Sequence, residues 1–181
     1  MKIELCRPYG VDVWRIWRLY RSAFPKSERK PFSMIRKMTR LGKTDMWCVT
    51  VDGGFVGLAI TINGPEQVLL DYFAITPQHR GRGIGSKALA LVRQKYEGRS
   101  LFLEIESTKI STPDREARLR RKEFYLAAGL KEYHVDVLLF GVEMELLGFG
   151  MAMTFQQYRD FYRDNYSAWA AEHIGGTYES D

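Results

Sequence analysis

Residues 78–87, QHRGRGIGSK, combine bare backbone with positive charge in a way that suits an anionic ligand. Glycine occupies every second position, at Gly81, Gly83 and Gly85. Glycines let a phosphate approach the chain closely, and the first N–H groups of a helix are unpaired donors at the positive end of the helix dipole. A helical pattern begins inside this stretch. We therefore expect the loop to bind a diphosphate.

The spacing of the glycines argues against two common phosphate loops. A Walker loop requires GxxxxGK[ST], whereas Ser86 here precedes Lys87. A dinucleotide fingerprint requires GxGxxG in a first βαβ unit, whereas this stretch reads GxGxG and follows several strand patterns. A solvated turn without a ligand stays open as the alternative for an isolated loop of this kind.

Three carboxylates stand inside largely apolar strand patterns. They are Asp71, Glu104 and Glu106, and alternation places Glu104 and Glu106 on one face of their strand. A carboxylate in such surroundings is costly unless it is paired. Each is therefore either a general base or the partner of the basic residues between Arg115 and Lys122.

Composition and charge limit the class of protein. The chain has 181 residues, 45% of them hydrophobic, which favours one domain with a sizeable core. The net charge of +5 favours an anionic partner. Cys6 and Cys48 have no spacing typical of zinc or of a disulfide framework, so no metal is expected. With neither a signal peptide nor an apolar span, a cytoplasmic location is expected.

The elements that position these residues follow an α/β order. Hydrophobic periodicity predicts a strand, two helices, three strands, a helix, a strand, a helix, two strands and an added helix. Asp52, Gly53 and Gly54 predict a hairpin turn in which the glycines supply the positive φ. The apolar run of residues 68–76 predicts a central strand. Thr154 and Gln157 have the spacing of a capping box before an aromatic-rich tail. We expect residues 1–150 to form the main domain and residues 151–181 to pack on it as a helical extension.

Two motifs carry a resemblance to a known family. FAITPQHRGRGIGSKAL resembles motif A of the GNAT N-acetyltransferase superfamily, Q/R-x-x-G-x-G/A, through Gln78, Gly81 and Gly83. Downstream, FYLAAGL at residues 124–130 resembles the family's F/L-Y-x-x-x-G-F/L. The resemblance implies a mixed, mostly antiparallel sheet flanked by helices, here with an extra aromatic-rich helix at the C-terminus.

The resemblance also implies a cofactor and its site. Acetyl-CoA would lie where the fourth and fifth strands separate, and an amine would attack its thioester directly. Phe73, Ala74 and Ile75 would meet the pantetheine arm. The pyrophosphate would be bound by Arg80, Gly81, Arg82, Gly83, Ile84, Gly85, Ser86 and Lys87.

Catalysis requires a neutral amine, an oxyanion stabiliser and a proton for the departing thiolate. Within the resemblance, Tyr125 is expected to be the general acid, and backbone N–H groups near Ala74 the oxyanion stabiliser. The base is Asp71, Glu104 or Glu106, or else a water relay. Arg118 and Arg121 depart from the family, which has Asn and Ala at these positions. The acceptor is a small-molecule or peptide amine of unknown identity.

Other functions remain open at this point. A non-catalytic acyl-CoA sensor would keep the glycine loop but need no proton donor, and transfer of a longer acyl group would depend on pocket depth. A nucleic-acid-binding module is disfavoured because the basic residues are spread over several elements. We expect neither nucleic acid nor a membrane as a partner. The aromatic tail could wall an acceptor pocket or form a homodimer contact, but aromatic residues at helical spacing more often pack in a core.

Overall fold

The computed structural model describes residues 1–176. The strands are β1 (Ile3–Cys6), β2 (Thr44–Val51), β3 (Gly54–Asn63), β4 (Gln67–Ile75), β5 (Ser100–Glu106), β6 (Lys131–Leu139), β7 (Val142–Phe149) and β8 (Ile174–Gly176). The helices are α1 (Val11–Ala23), α2 (Phe32–Arg40), α3 (Ile84–Lys95), α4 (Arg115–Ala127), α5 (Phe155–Asn165) and α6 (Ala168–Glu172). None of the described helices is long and apolar enough to cross a membrane.

The strands form one mixed sheet in the order β1-β2-β3-β4-β5-β7-β6-β8. The ladders β1–β2, β2–β3, β5–β7, β6–β7 and β6–β8 are antiparallel. The ladder between β4 and β5 is parallel and comprises three pairs, from Gln67 with Ser100 to Leu69 with Phe102. The predicted α/β class, with a mostly antiparallel sheet and a central β4, is confirmed.

The chain forms two compact units. The first combines Met1–Asn63 with Leu70–Glu97, and the second combines Gly64–Leu69 with the described chain from Gly98 onward. In the first unit, one core cluster joins the inner faces of α1 and α2 to β2, β3 and β4. A second cluster joins Ile84 and Ala88 of α3 to the other side chains of the same strands. Strand β4 passes through both units.

Two local features of the first unit follow from backbone sterics. In the hairpin turn expected at residues 52–54, the positive φ lies at Asp52 (48°) and Gly53 (82°), as a two-residue turn requires. Gly54, which was also expected to supply a positive φ, is instead the first residue of β3. In β3, a Cβ atom on Gly57 would lie 2.6 Å from the carbonyl oxygen of Ala74, so only glycine lets β3 and β4 approach this closely. The ladder also sets Cys6 opposite Cys48, both as free thiols.

Two helical regions of the described chain show local features. In the short helix α2, Ile35 is buried and Met34 is exposed, because the inner stripe of the helix is centred on Ile35. The capping box of Thr154 and Gln157 is confirmed at the start of α5. The tail is not a single helix, however, since α5 ends at Asn165 and is followed by α6 and by the edge strand β8.

Candidate active site

The glycine loop connects β4 to α3 through a short turn in the first unit. The turn spans Pro77–His79, and the Thr76 hydroxyl and Nδ1 of His79 are hydrogen-bonded across it over 2.8 Å. The Arg80 Nε donates to the carbonyl oxygen of Ile75 over 2.9 Å. The end of the strand therefore holds the first residue of the loop in place.

Backbone donors are concentrated in this loop. The first amide after it with a backbone partner is that of Lys87, which donates to Gly83. Among the described residues, the N–H groups of residues 81–86 donate no hydrogen bond. Gly81 and Gly83 have φ of 71° and 70°, and a Cβ atom at either position would have no neighbour within 4 Å. Consecutive free amides beside a helix start form an anion-binding concavity.

The side chains of the loop differ in burial and in hydrogen bonding. Ile84 is buried beneath α3, so only its backbone can meet a ligand. Arg82, Ser86 and Lys87 are exposed and form no ion pair with the described residues. Arg80, expected to ring a pyrophosphate, has its Nε committed to β4 and offers only its terminal nitrogens.

The end of β4 divides its backbone groups between two sides. The Thr76 amide donates to the carbonyl of Val56 on β3 over 2.8 Å, and the Ala74 carbonyl also faces β3. Because backbone groups alternate along a strand, the amides of Phe73 and Ile75 face the opposite edge, where β4 has no ladder partner within the first unit. These two amides, which flank Ala74, are the candidate donors at this end of β4.

Asp71 is engaged by a cation that the sequence did not suggest. Lys30 Nζ contacts both carboxylate oxygens of Asp71, over 2.6 and 2.7 Å. The backbone amide of Lys30 donates a hydrogen bond to the hydroxyl of Tyr72, the residue after Asp71, over 3.1 Å. The partner of Asp71 is thus a lysine of the segment before α2 instead of the basic residues of α4.

Glu104 of the second unit is held by the C-terminal helix α5. The hydroxyls of Tyr158 and Tyr162 donate to its Oε1 over 2.6 and 2.7 Å. Both tyrosines are fully buried, one helical turn apart, so their rings cannot move without disturbing the core. The helical spacing of the aromatic residues was visible in the sequence, but their hydrogen bonds to Glu104 were not.

Glu106, two residues further along β5, meets a different helix. Its carboxylate lies 2.9 Å from Arg118 Nη2 and 3.6 Å from Arg121 Nη1, both on α4. Arg118 also contacts Asp114 over 3.0 Å and donates to the carbonyl of Ser107. The two arginines that depart from the family motif are therefore ion-pair partners of Glu106. This is one of the two expectations for Glu106, that it pairs with the basic residues between Arg115 and Lys122.

Sequence reasoning missed a fourth carboxylate, which lies on β7 beside β5. Glu145 of β7 is 3% exposed, and it accepts hydrogen bonds from the Thr108 amide and hydroxyl and from Lys122 Nζ over 2.5, 2.7 and 2.5 Å. Burial opposes its charge, but these donors prevail and hold the pKa of the Glu145 carboxyl below its ordinary value. The signal was available, since Glu145 stands in an apolar strand pattern just as Asp71 does.

Tyr125 lies in the last turns of α4, in the second unit. Its side chain is buried, and its hydroxyl makes no hydrogen bond with any described residue. Burial raises the pKa of Tyr125 to about 12, and the nearby Arg121 opposes that shift. The Leu130 amide donates to the Tyr125 carbonyl, and Gly129 takes a φ of 94°, which ends the helix beyond the tyrosine.

The described residues include no group of His, Cys, Asp and Glu side chains that could hold a metal ion. The carboxylates described above are instead bound by cations and hydroxyls. The candidate groups are thus a loop of free amides in the first unit, and a phenol and several carboxylates in the second.

Comparisons with solved structures show which proteins share this fold. A Bacteroides thetaiotaomicron protein assigned to the GNAT family is 19% identical, with a TM-score of 0.76 over 94% of this chain and 99% of that one. An aminoglycoside 6′-N-acetyltransferase complexed with coenzyme A is 16% identical, with a TM-score of 0.63 over 82% and 96%. The ribosomal-protein-S18-alanine N-acetyltransferase of Escherichia coli is 14% identical, with a TM-score of 0.62 over 84% and 96%.

Sequence comparison identifies the family. No curated protein sequence matches the chain. The profile of the acetyltransferase (GNAT) family, in contrast, matches residues 13–112, more than half of the 181 residues. This match includes most of α1, all of α2 and α3, β2 to β5 and the whole glycine loop. The chain therefore belongs to the acetyltransferase (GNAT) family, whose members transfer acyl groups from acyl-CoA.

Proposed function

We propose that this protein transfers an acetyl group from acetyl-CoA to an amine that attacks the thioester directly. The observation that carries the proposal is the run of free N–H groups at residues 81–86, beside two glycines with open space around them. Acetyl-CoA supplies the activated acetyl group and a diphosphate, and the diphosphate is the anion that such a loop suits. Solved relatives of the same fold with coenzyme A and acetyl-CoA support this choice.

The loop would bind the diphosphate mainly through its backbone. The amides from Gly81 to Ser86 point outward from the start of α3, and the helix dipole adds positive potential there. Exposed Arg82 and Lys87 would add charge, and Arg80 would contribute only its terminal nitrogens. Backbone donors dominate because their geometry is fixed before binding, whereas the long side chains lose conformational entropy on binding.

The end of β4 would hold the pantetheine arm and the thioester. The amides of Phe73 and Ile75 are the donors without a ladder partner in the first unit, and one of them would stabilise the negative charge that develops on the carbonyl oxygen. The Ala74 carbonyl faces β3 and would not take part directly. We therefore assign the oxyanion contact, which was expected near Ala74, to the amides of Phe73 and Ile75.

Tyr125 would protonate the departing thiolate. A pKa of about 12 keeps the phenol protonated at neutral pH, and its hydroxyl has no competing hydrogen bond with the described residues. A phenol in this state can donate to a thiolate within hydrogen-bond reach.

Among the three carboxylates, Glu104 suits the role of base best. Asp71 and Glu106 are each paired with a nearby cation, and the hydroxyls of Tyr158 and Tyr162 orient Glu104 through its Oε1 atom. We assign Glu104 to accept the proton of the incoming amine, directly or through water. Asp71 and Glu106 would hold their segments in place.

The loop assignment is tested by a matched pair of glycine variants. Gly83→Glu adds a charged side chain where the diphosphate would sit, while Gly42→Glu adds it at a position with φ of 71° and equally open space outside the loop. Each variant should cost about 1–2 kcal/mol of stability from the positive φ. Calorimetry should show that only Gly83→Glu loses acetyl-CoA binding. Equal binding by the two variants would refute the site.

The reaction itself is tested by turnover. The purified protein, supplied with acetyl-CoA, should release free thiol in the presence of at least one amine from a panel of polyamines, aminoglycosides, amino acids and peptides. Tight acetyl-CoA binding with no turnover on any amine would favour a non-catalytic acyl-CoA sensor. Faster turnover with a longer acyl-CoA would favour transfer of a longer acyl group.

A further inference from the structure

Positive charge is concentrated in one segment of the first unit. Residues 7–43 contain eleven lysines and arginines against two carboxylates, a formal excess of nine positive charges, although the whole chain carries only +5. The rest of the chain is therefore net negative. Within this segment, α2 contains no acidic residue. Like charges repel one another and destabilise the folded state, so this excess does not serve folding. We therefore ask which anionic partner this segment would bind.

The structure brings the two helices of this segment onto one side of the first unit. Ile16, Leu19 and Tyr20 of α1 and Ile35 of α2 are buried in the same core cluster. Their outer faces therefore point away from the strands together. We call this surface the α1–α2 outer face, and it consists of Val11, Trp14, Arg18, Arg21, Met34, Arg36, Lys37, Arg40 and Leu41.

The cations of the α1–α2 outer face lack carboxylate partners. Among the described residues, Arg18, Arg21, Arg36, Lys37 and Arg40 form no ion pair. The Asp12 carboxylate of α1 is bound by Arg15 over 3.0 Å. Arg18 lies 5.5 Å from the centre of the Trp14 ring, and Arg21 lies 5.0 Å from that of Trp17. The face thus has a strong positive potential that nothing in this part of the chain neutralises.

Apolar side chains are interleaved with these cations. Val11 is 56% exposed, Trp14 53% and Leu41 60%, and Val11, Trp14 and Arg18 follow one another along the outer stripe of α1. A nucleic acid could stack a base on Trp14, but its backbone offers no apolar partner for Val11 or Leu41. The boundary between lipid headgroups and acyl chains accommodates both the aliphatic side chains and tryptophan, and anionic headgroups attract the cations.

We infer that the α1–α2 outer face docks the protein on membranes rich in anionic phospholipid. The cations approach the headgroup phosphates, and Val11, Trp14 and Leu41 enter the interfacial layer. This inference is independent of the acetyltransferase reaction. It differs from the expectation drawn from sequence, because the sequence did not reveal that the outer faces of both helices share one side of a unit.

Vesicle binding tests the inference with the full chain. At low salt, the protein should co-sediment with vesicles that contain phosphatidylglycerol, and it should not co-sediment with pure phosphatidylcholine vesicles. Arg18→Glu/Lys37→Glu should weaken binding on the order of tenfold or more. Arg120→Glu/Lys131→Glu, which changes the net charge equally on exposed residues of the second unit, should leave binding within about twofold. Circular dichroism establishes that both variants are folded.

Tryptophan fluorescence locates the contact. Trp14 and Trp169 are the exposed tryptophans among the described residues. Anionic vesicles should shift the emission to shorter wavelength, and Trp14→Phe should abolish the shift while Trp169→Phe preserves it. Equal loss of binding in both charge variants, absence of binding to anionic vesicles, or tighter binding to a single-stranded RNA oligonucleotide than to vesicles would overturn the inference.

Discussion

The glycine loop of the first unit and the carboxylates of the second unit differ in whether their polar groups have hydrogen-bond partners. In the loop, the described amides of residues 81–86 have no acceptor. On β5 and β7, Glu104, Glu106 and Glu145 each receive at least two donors. The amides of the loop remain available as donors, whereas the carboxylates already have hydrogen-bond partners within the protein. The comparison teaches that a buried charge, by itself, does not mark a reactive group.

Tyr125 is the exception within the second unit, because its side chain is largely buried but its hydroxyl makes no hydrogen bond with a described residue. Tyr125→Phe removes only that hydroxyl and should lower kcat on the order of a hundredfold, or about 2.7 kcal/mol of transition-state stabilisation. Acetyl-CoA affinity and Tm should hardly change. Steady-state kinetics and calorimetry measure these quantities.

Tyr133→Phe is the matched control, since Tyr133 is also buried with a pKa raised to about 12, but its hydroxyl donates to the Phe149 carbonyl. It should keep full turnover per folded molecule. If both variants keep kcat within about twofold of the parent, water protonates the thiolate instead of Tyr125.

Glu104 and Glu106 sharpen the comparison, because they lie two residues apart on one strand but have different partners. Glu104→Gln should lower turnover on the order of a hundredfold at neutral pH. Glu106→Gln should leave turnover per folded molecule unchanged and reduce the free energy of unfolding by about 1–3 kcal/mol, because the buried Arg118 loses an acceptor. Kinetics and urea unfolding separate the two effects. Normal turnover in both variants would leave proton removal to water alone.

Glu145 gives the smallest expected effect, and it depends on pH. Because its pKa is lowered in the folded protein, its contribution to stability is present above its ordinary value of 4.5 and is lost as pH falls through the folded pKa. Glu145→Gln should be less stable than the parent by about 1–3 kcal/mol at neutral pH, and the difference should shrink below that value. Thermal unfolding across this range measures the trend. A difference that does not vary with pH would show that Glu145 acts through packing alone.

Much of the fold was predictable because its signals are local. The hairpin at Asp52 and Gly53 follows from the positive φ that its turn demands, and the capping box of Thr154 and Gln157 closes within one helical turn. The glycine loop was also predictable, since its donors are backbone groups at a strand-to-helix junction. The end of the tail was not, because a strand as short as β8 exists only through its ladder with β6.

The sequence by itself determined that carboxylates lie in apolar strands and that a phenol and a glycine loop accompany them. Only the tertiary structure decided what each carboxylate does. Asp71 meets Lys30, 41 residues away, while Glu104 meets Tyr158, 54 residues away. Periodicity reports which side of an element is covered, but not which distant side chain covers it. The partners of a buried charge are set by the packing of helices against the strands, and these partners determine whether its proton can move.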